Sequence, residues 1–326
     1  MRVLFLIQHY NMPSSRARVL DLLPYLSRER LDFEVVTYPK SFLNKLQLLR
    51  SVKYFDIVYL QKKLLSPPEA AILRKFAKKL IFDFDDAIMY KHDVQGGHLS
   101  RTRCFKFRNI VRKADLIIAG NRTLAKYAMK HNKNVVVIPT GVPTDVPVHD
   151  YNAQKREVRI GWIGGNVSLF YLEMLTPILN KLSKCVPFKL VVISGAKPKM
   201  PDIEMEFIPW SLQNQYEKLS QLDIGIMPLP KTPYAEGKCG YKALQYMAVG
   251  IPSVCSKVGD IAEIIEHGKE GMLVEDPGDF LDSLLILIQN PSLRKELGQK
   301  GRQKVIEHYS LGVIAKYLVR SLRENL

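Results

Sequence analysis

No apolar run in the 326-residue chain approaches the roughly 18 residues that a membrane span needs, which excludes a transmembrane helix from the sequence reading. Cysteine is scarce: Cys104, Cys185, Cys239 and Cys255 are widely scattered and form no CxxC pair. That excludes a disulfide framework and a zinc site, and it reads as reduced, cytosolic thiols. The opening Met-Arg-Val-Leu-Phe-Leu-Ile enters a strand directly, so no signal peptide is expected. Nothing resembles a nucleic-acid recognition helix, zinc knuckle or aromatic sheet motif, and no nucleic-acid partner is expected despite a net charge of +16. Carboxylates are the scarce charge in the first half. Residues 1–150 hold 26 Lys/Arg against 13 Asp/Glu, whereas residues 151–326 hold 22 against 19. The basic first half suits an anionic surface or substrate.

What is present is alternation. Near-continuous Val/Ile/Leu runs at Val3–Ile7, Phe33–Thr37, Asp56–Leu60, Leu80–Phe84, Asp115–Ala119 and Val135–Ile138 are separated by helical patterns at about Ser14–Ser27, Phe42–Val52, Pro68–Lys78, Leu99–Lys113 and Arg122–His131. The pattern predicts a parallel sheet covered on both faces. The proline-bearing stretch Pro139–Pro147 breaks it and reads as a linker. A second set of runs follows, at Val158–Ile163, Phe188–Ile193, Glu204–Ile208, Asp223–Met227, Pro252–Cys255 and Gly271–Val274. Helices are predicted among them near Ser168–Lys184, Ser211–Ser220, Lys238–Val249, Asp260–His267, Gly278–Gln289 and Ser292–His308. The fold class is therefore α/β, two doubly wound Rossmann-like domains over residues 1–150 and 151–310. A last helix, 311–326, is free to pack back on the first. Ligands in such sheets sit beyond the carboxyl ends of the strands, so the cleft between the domains is the expected site.

The most informative stretch is Glu236–Pro252. It reads as a glycine-bearing loop, Glu236-Gly237-Lys238-Cys239-Gly240-Tyr241, running into a helix. There Lys238, Lys242 and Gln245 share one face at i, i+4 and i+7, opposite Ala243, Leu244, Met247 and Ala248. Two ammonium groups beside the N–H groups of a helix start suit a diphosphate, and Gln245 suits a hydroxyl one turn further in. The ordinary alternative is an amphipathic surface helix. A second loop, Gly161–Ser168, places Gly164, Gly165 and Asn166 where backbone can approach a phosphate. The Phe82–Asp86 loop offers Asp83, Asp85 and Asp86. A DxDD cluster can hold a metal, but capping or contact with a reacting group ranks ahead of that. His9 after the first strand reads either as lining the cleft or as a packed histidine, while Ser14 or Ser15 caps a helix bearing Arg16 and Arg18. His92 and His98 flank a Gly-Gly loop and match no zinc spacing. Asn121 reads as a helix cap.

Together Gly161–Asn166, Phe82–Asp86, Ala119–Ala128, Ile138–Val142 and Gly237–Pro252 resemble, in order, the retaining glycosyltransferases of the two-Rossmann-domain GT-B fold, family 4, in a lysine-bearing branch. The resemblance implies transfer of a sugar from a nucleotide-sugar donor to a glycan or lipid-linked acceptor, in cell-envelope polysaccharide synthesis, with no metal and no cofactor. It implies donor contacts at Gly164, Gly165, Asn166 and along Glu236, Gly237, Lys238, Cys239, Gly240, Tyr241, Lys242 and Gln245. Asp85, Asp86 and Lys242 would act at the reacting centre, and His9, Ser15 and Arg16 at the acceptor. One departure stands out. The family's two glutamates, with seven residues between them, would fall on Gly237 and Gln245, with Glu236 one place early. Other readings are a nucleotide-sugar epimerase of the same fold and a non-catalytic sugar-binding relative. The helices Leu99–Lys113 and Phe42–Lys53, which mix cations with apolar side chains, suit an anionic bilayer, and equally suit packing on one face with solvated charge on the other. The expected location is cytoplasmic, free or peripheral on the inner face of the membrane.

Overall fold

The computed structural model describes residues 1–152 and 157–324. Residues 153–156, near the expected start of the second domain, and 325–326, at the end of the expected last helix, lie outside the described residues. The chain divides into two compact units. The first is Met1–Gly141 with Thr232–Cys239 and the chain's end from Leu311; the second is Val142–Lys231 with Gly240–Ser310. Among the described residues no helix is long and apolar enough to cross a membrane.

The first unit is built on a six-stranded parallel sheet of β1 (Arg2–Ile7), β2 (Asp32–Thr37), β3 (Ile57–Gln61), β4 (Lys79–Phe84), β5 (Leu116–Ala119) and β6 (Val135–Val137), in the order β2-β1-β3-β4-β5-β6. Alternation along each strand sends residues to opposite faces. Leu4, Leu6, Val58, Leu60, Leu80, Phe82 and Phe84 face the helices Phe42–Ser51, Pro67–Phe76 and Arg101–Lys113. Val3, Phe5, Ile7, Ile57, Tyr59 and Ile81 face the opposite layer, where Leu311, Ile314, Leu318 and Leu322 of the helix Leu311–Glu324 join Val19, Leu22 and Leu26. Burying a side chain such as Leu60 or Phe82 is worth roughly 1.5–3 kcal/mol, so both layers are strongly held. The helix expected over Ser14–Ser27 is broken into Pro13–Arg18, a 3-10 turn and Leu23–Arg28. Pro24 has no N–H to continue the ladder.

The second unit repeats the scheme with β7 (Val158–Gly164), β8 (Phe188–Ser194), β9 (Met205–Pro209), β10 (Ile224–Met227), β11 (Ser253–Ser256) and β12 (Met272–Val274), ordered β12-β11-β10-β7-β8-β9 and all parallel. The strand order reverses beside β7, so the crevice between the ends of β7 and β10 is the switch point of this sheet. Ile160, Trp162, Leu190, Val192 and Ile224 fill one face, and Ile163, Val191, Ile193, Tyr246 and Val249 the other. The helix expected over Ser168–Lys184 is broken between Leu169–Glu173 and Thr176–Cys185, ahead of Pro177.

The helix expected at Lys238–Val249 is Tyr241–Ala248. Gly240 precedes it in the left-handed region, φ +63°, where a Cβ would also collide with Ile264. Lys238 therefore lies outside the helix. It does not share a face with Lys242 and Gln245, which corrects the sequence reading. Chain upstream of Gly240 forms its own helical turn, Pro233–Glu236, capped by Thr232, whose Oγ1 accepts from Ala235 N at 3.1 Å.

Candidate functional site

In the first unit the chemistry gathers at the carboxyl ends of β1, β3 and β4. Lys62 follows β3 in a left-handed conformation, φ +57°. Such a conformation costs a non-glycine residue about 1 kcal/mol and persists only where its surroundings fix it. Two bonds do so: Lys62 N donates to Asp83 O at 2.7 Å, and Gln8 Nε2 donates to Lys62 O at 3.2 Å. The Lys62 ammonium thereby lies 2.8 Å from Asp85 Oδ1 and also bonds Asp86. Lys238 reaches the other Asp86 oxygen at 3.0 Å, with its ammonium 4.6 Å from the Tyr234 ring centroid. Two lysines and two aspartates form one half-buried, self-neutral cluster. Burial alone would raise the Asp86 carboxyl; Lys238 and Lys62 together hold it well below the ordinary carboxylate range. Burial alone would lower both ammoniums, and the carboxylates outweigh it, holding Lys62 and Lys238 above the lysine range.

The segment bearing Lys238 is seated by backbone-directed bonds. Asn121 Oδ1 caps its helix by accepting from Leu124 N at 2.8 Å, as the sequence suggests. Its Nδ2 donates to Gly237 O and to Lys238 O, both at 3.2 Å. Cys239 Sγ donates to Asp85 O at 3.1 Å, and burial pushes that thiol well above the ordinary range. Lys238 is thus committed to Asp86. Its charge is balanced by Asp86, and Glu236, Gly237 and Cys239 lie with it in the first unit.

The acceptor candidates separate. Ser15 is fully buried and donates to Gln61 Oε1 at 3.1 Å, so it is an interior residue and not a surface contact. It does not cap the helix either; Met12 occupies the cap position and Ser14 makes no cap bond. Arg16 is partly exposed and lowers the nearby Asp21 carboxyl against the rise that burial causes. His9 is exposed and accepts from Asn11 N through Nδ1 at 3.1 Å. Arg18 and Asp83 form a buried ion pair, with Arg18 also donating to Ile138 O at 2.8 Å. Asp83 is therefore structural, and Asp85 and Asp86 are the carboxylates at the sheet's edge. Among the described residues no group of three or more His, Cys, Asp or Glu is arranged to hold a metal ion.

In the second unit, Gly164 ends β7 and is held by Ser194, whose Oγ donates to Gly164 O at 2.9 Å. Lys242, second residue of the helix Tyr241–Ala248, lies across Gly164 with its ammonium 5.1 Å from the Trp162 ring. A methyl group on Gly164 would strike Trp162 and come within 2.9 Å of Lys242 Cε, so the glycine makes room for the lysine. Asn166 leans over Gly195 at the neighbouring end of β8, within 2.7 Å of where a Cβ there would stand. Tyr246 fixes the helix: its hydroxyl accepts from Ile163 N at 3.2 Å and donates to Ile226 O at 3.1 Å. Lys242, Gly164, Gly165 and Asn166 therefore come together at the switch point. Gln245 turns away from solvent and donates to Gln215 Oε1 at 3.3 Å, an oxygen that also accepts from Trp210 Nε1 at 3.3 Å. A cavity of about 420 Å³ lined by His149, Tyr151, Asp223 and Arg294 lies near the opposite ends of β7 and β10 and holds none of the predicted residues.

Sequence reasoning missed Lys62, Tyr234 and Trp162. Trp162 had a usable signal, an aromatic two residues before the glycine pair and so on the same face of the strand as Gly164. A left-handed lysine has none.

The sequence model of the family described as "Glycosyl transferases group 1" matches residues 160–290. An uncharacterized glycosyltransferase of Methanocaldococcus jannaschii is 24% identical over 229 residues, 67% of this chain and 60% of that protein. The chain spans between 19% and 60% of the length of the curated relatives it matches. Among solved structures, a sucrose-phosphate synthase from Thermosynechococcus elongatus aligns with a TM-score of 0.79 at 15% identity, covering 99% of this chain and 98% of its own. The Anabaena protein HepE, solved with UDP-glucose, aligns at 0.74 and 14% identity, covering 99% of each. Residues 160–290 thus match the glycosyl transferases group 1 model, on a chain with the two-sheet fold of the GT-B glycosyltransferases.

Proposed function

We propose that this protein moves a sugar from a nucleotide-sugar donor to a glycan or lipid-linked acceptor of cell-envelope polysaccharide synthesis, with retention and without a metal. The observation that carries the reading is Lys242 lying across Gly164 at the switch point of the sheet matched by the family. A helix cannot satisfy the amides of its first turn from within, so the start of Tyr241–Ala248 suits negative charge. In this reading those amides, the Gly164–Asn166 backbone and Lys242 bear the charge that grows on the diphosphate as the bond to the anomeric carbon breaks. The acceptor oxygen bonds to that carbon on the same face, and its proton leaves with the diphosphate or to water. Asp86, ionised at neutral pH, acts as a hydrogen-bond acceptor for sugar or acceptor hydroxyls and cannot serve as an acid. Asp85 shares that role, and Lys62 and Lys238 hold the pair in place. His9 and Arg16 remain the acceptor contacts to test.

UDP-glucose, bound by HepE, heads the donor set, followed by GDP-, dTDP- and ADP-sugars. A donor at a hundredfold excess over its Kd should stabilise the native chain by about 2.7 kcal/mol, a clear thermal shift. Lys242→Ala should remove the shift and the transfer while leaving the ligand-free melting temperature within a few degrees. No shift and no product with any donor, or an unaltered rate in that variant, rejects the proposal.

A further inference from the structure

Three helices of the first unit, Phe42–Ser51, Pro67–Phe76 and Arg101–Lys113, cover one sheet face as a continuous layer, packing side by side in that order. Their inner faces are satisfied: Leu48, Leu49, Ala70, Leu73, Phe107, Ile110 and Val111 are buried in the core. Their outer faces are not ordinary solvated surface. They carry Lys45, Arg50, Arg74, Lys75, Arg101, Arg103, Lys106, Arg108, Arg112 and Lys113; Lys45 is paired with Glu69 and Arg74 with Asp115 at 2.8 Å, and the other eight have no carboxylate partner among the described residues. Glu69 is spent within the layer, bound to Lys45 at 2.6 Å and to Ser66 N at 2.9 Å. Large apolar side chains stand among these cations. Leu43 is 72% exposed and Phe105 53%, with Leu46, Ile72 and Phe76 also exposed. On the third helix the outward stripe reads Arg101, Phe105, Arg108, Arg112, all exposed, at i, i+4, i+7 and i+11.

We infer that this helical layer is a docking face for an anionic lipid bilayer. Eight cations without a carboxylate partner match a negative surface, and each basic residue held near such a surface adds to the attraction. The exposed leucines, isoleucine and phenylalanines sit at the height of the cations, where their tips enter the headgroup boundary while guanidinium groups remain at phosphate level. A nucleic acid would meet the charge but gain nothing from Leu43, Leu46 and Ile72, which offer no ring for a base to stack on. The helix Arg101–Lys113 begins at the sheet edge that also carries Asp85 and Asp86, so a lipid-borne hydroxyl on this face arrives on the same side of the sheet. The inference is one of binding and stands whether or not sugar is transferred.

The test is flotation of the whole chain with vesicles of phosphatidylcholine alone and with about 30 mol% phosphatidylglycerol, in low and high salt, beside binding to a soluble polyanion, heparin. Binding to the anionic vesicles only, weakened by salt, is expected. Arg101→Glu/Arg108→Glu should lower apparent vesicle affinity at least about tenfold. Phe76→Ser/Phe105→Ser should lower it several-fold while heparin binding stays unchanged, and both variants should melt with the parent because every altered side chain is exposed. Three results would each overturn the inference. They are no binding to anionic vesicles, equal binding to neutral ones, and apolar variants that bind lipid as the parent does.

Discussion

Replacing Lys62 by methionine removes the one cation shared by Asp85 and Asp86 while keeping the length and apolar stem of the side chain. The lysine side chain is 14% exposed and its partners 13% and 20%, so water replaces little of what is lost. Breaking such a pair costs about 3–5 kcal/mol, because a buried carboxylate is left without its counter-charge. Lys238 still serves Asp86, which places the expectation near the lower end, about 3 kcal/mol. At about 2–4 °C per kcal/mol for a unit of this size, melting should fall by roughly 6–12 °C at neutral pH. The sign of the pH dependence is fixed too. Asp86 has a depressed native pKa, so its contribution is present above the ordinary carboxylate value and lost as pH falls through the native one. The gap between parent and variant should therefore be widest at neutral pH and narrow only as pH falls below the ordinary carboxylate value, about 4, towards the depressed native value of Asp86. Lys62→Gly is the companion variant: it loses the same charge but relieves the left-handed strain, recovering about 1 kcal/mol. Chemical denaturation of all three proteins at several pH values is the assay. A methionine variant within about 0.5 kcal/mol of the parent at pH 7, or a deficit independent of pH, would show that the cluster does not behave as a coupled set of buried charges.

Gly164→Ala should cost about 1–3 kcal/mol and weaken donor binding, because the new methyl group strikes Trp162 and displaces Lys242; unfolding and nucleotide-sugar titration read the two effects separately. Asn121→Ala should cost about 2–3 kcal/mol from the lost cap and the lost donors to Gly237 O and Lys238 O. Asn121→Asp, which keeps the cap but turns oxygen towards those carbonyls, should recover only the cap's share, about 1 kcal/mol, if the amide seats the segment. Cys185 is exposed and should react with a thiol reagent at pH 8. Cys255, buried and with its thiol pushed up to about 12, should react only on unfolding, and half-buried Cys239, its thiol also pushed up by burial, more slowly than Cys185, as mass spectrometry of labelled peptides would report. Any transfer activity should survive EDTA, since Lys62 and Lys238 occupy the carboxylates a cation would need; a strict divalent-ion requirement would contradict that.

Each of the twelve strands among the described residues overlaps its sequence-predicted run, because a strand of a parallel sheet covered on both faces is apolar at most positions. Helices were legible by their buried faces but not by their continuity. Pro24 and Pro177 interrupt two of them, and Gly240 delays a third. The last is what misled the site reading. Lys238, Lys242 and Gln245 have helical spacing, yet one residue at positive φ takes Lys238 out of the helix and gives it to Asp86. Spacing arguments assume an unbroken 3.6-residue period, and the period is a property of backbone conformation that sequence implies only statistically. Lys62 was illegible for a related reason: its orientation follows from bonds to Asp83 and Gln8, residues 21 and 54 positions away.

The two clusters differ in a way that bears on what each can hold. At the end of the first sheet four formal charges cancel, and the groups facing outward are hydrogen-bonding atoms already fixed in place. Such a surface gains little from a ligand's net charge. It gains from many weak, directional hydrogen bonds, which is the chemistry of a neutral polyhydroxyl compound. At the end of the second sheet a helix start, a glycine pair and a lysine braced on an indole converge, all of the sign that attracts an anion. Each cluster thus favours its own ligand chemistry, a neutral polyhydroxyl group at the first sheet and an anion at the second. Anionic competitors such as pyrophosphate should therefore compete through Lys242 and be indifferent to Asp85→Asn, whereas neutral sugars should show the reverse dependence.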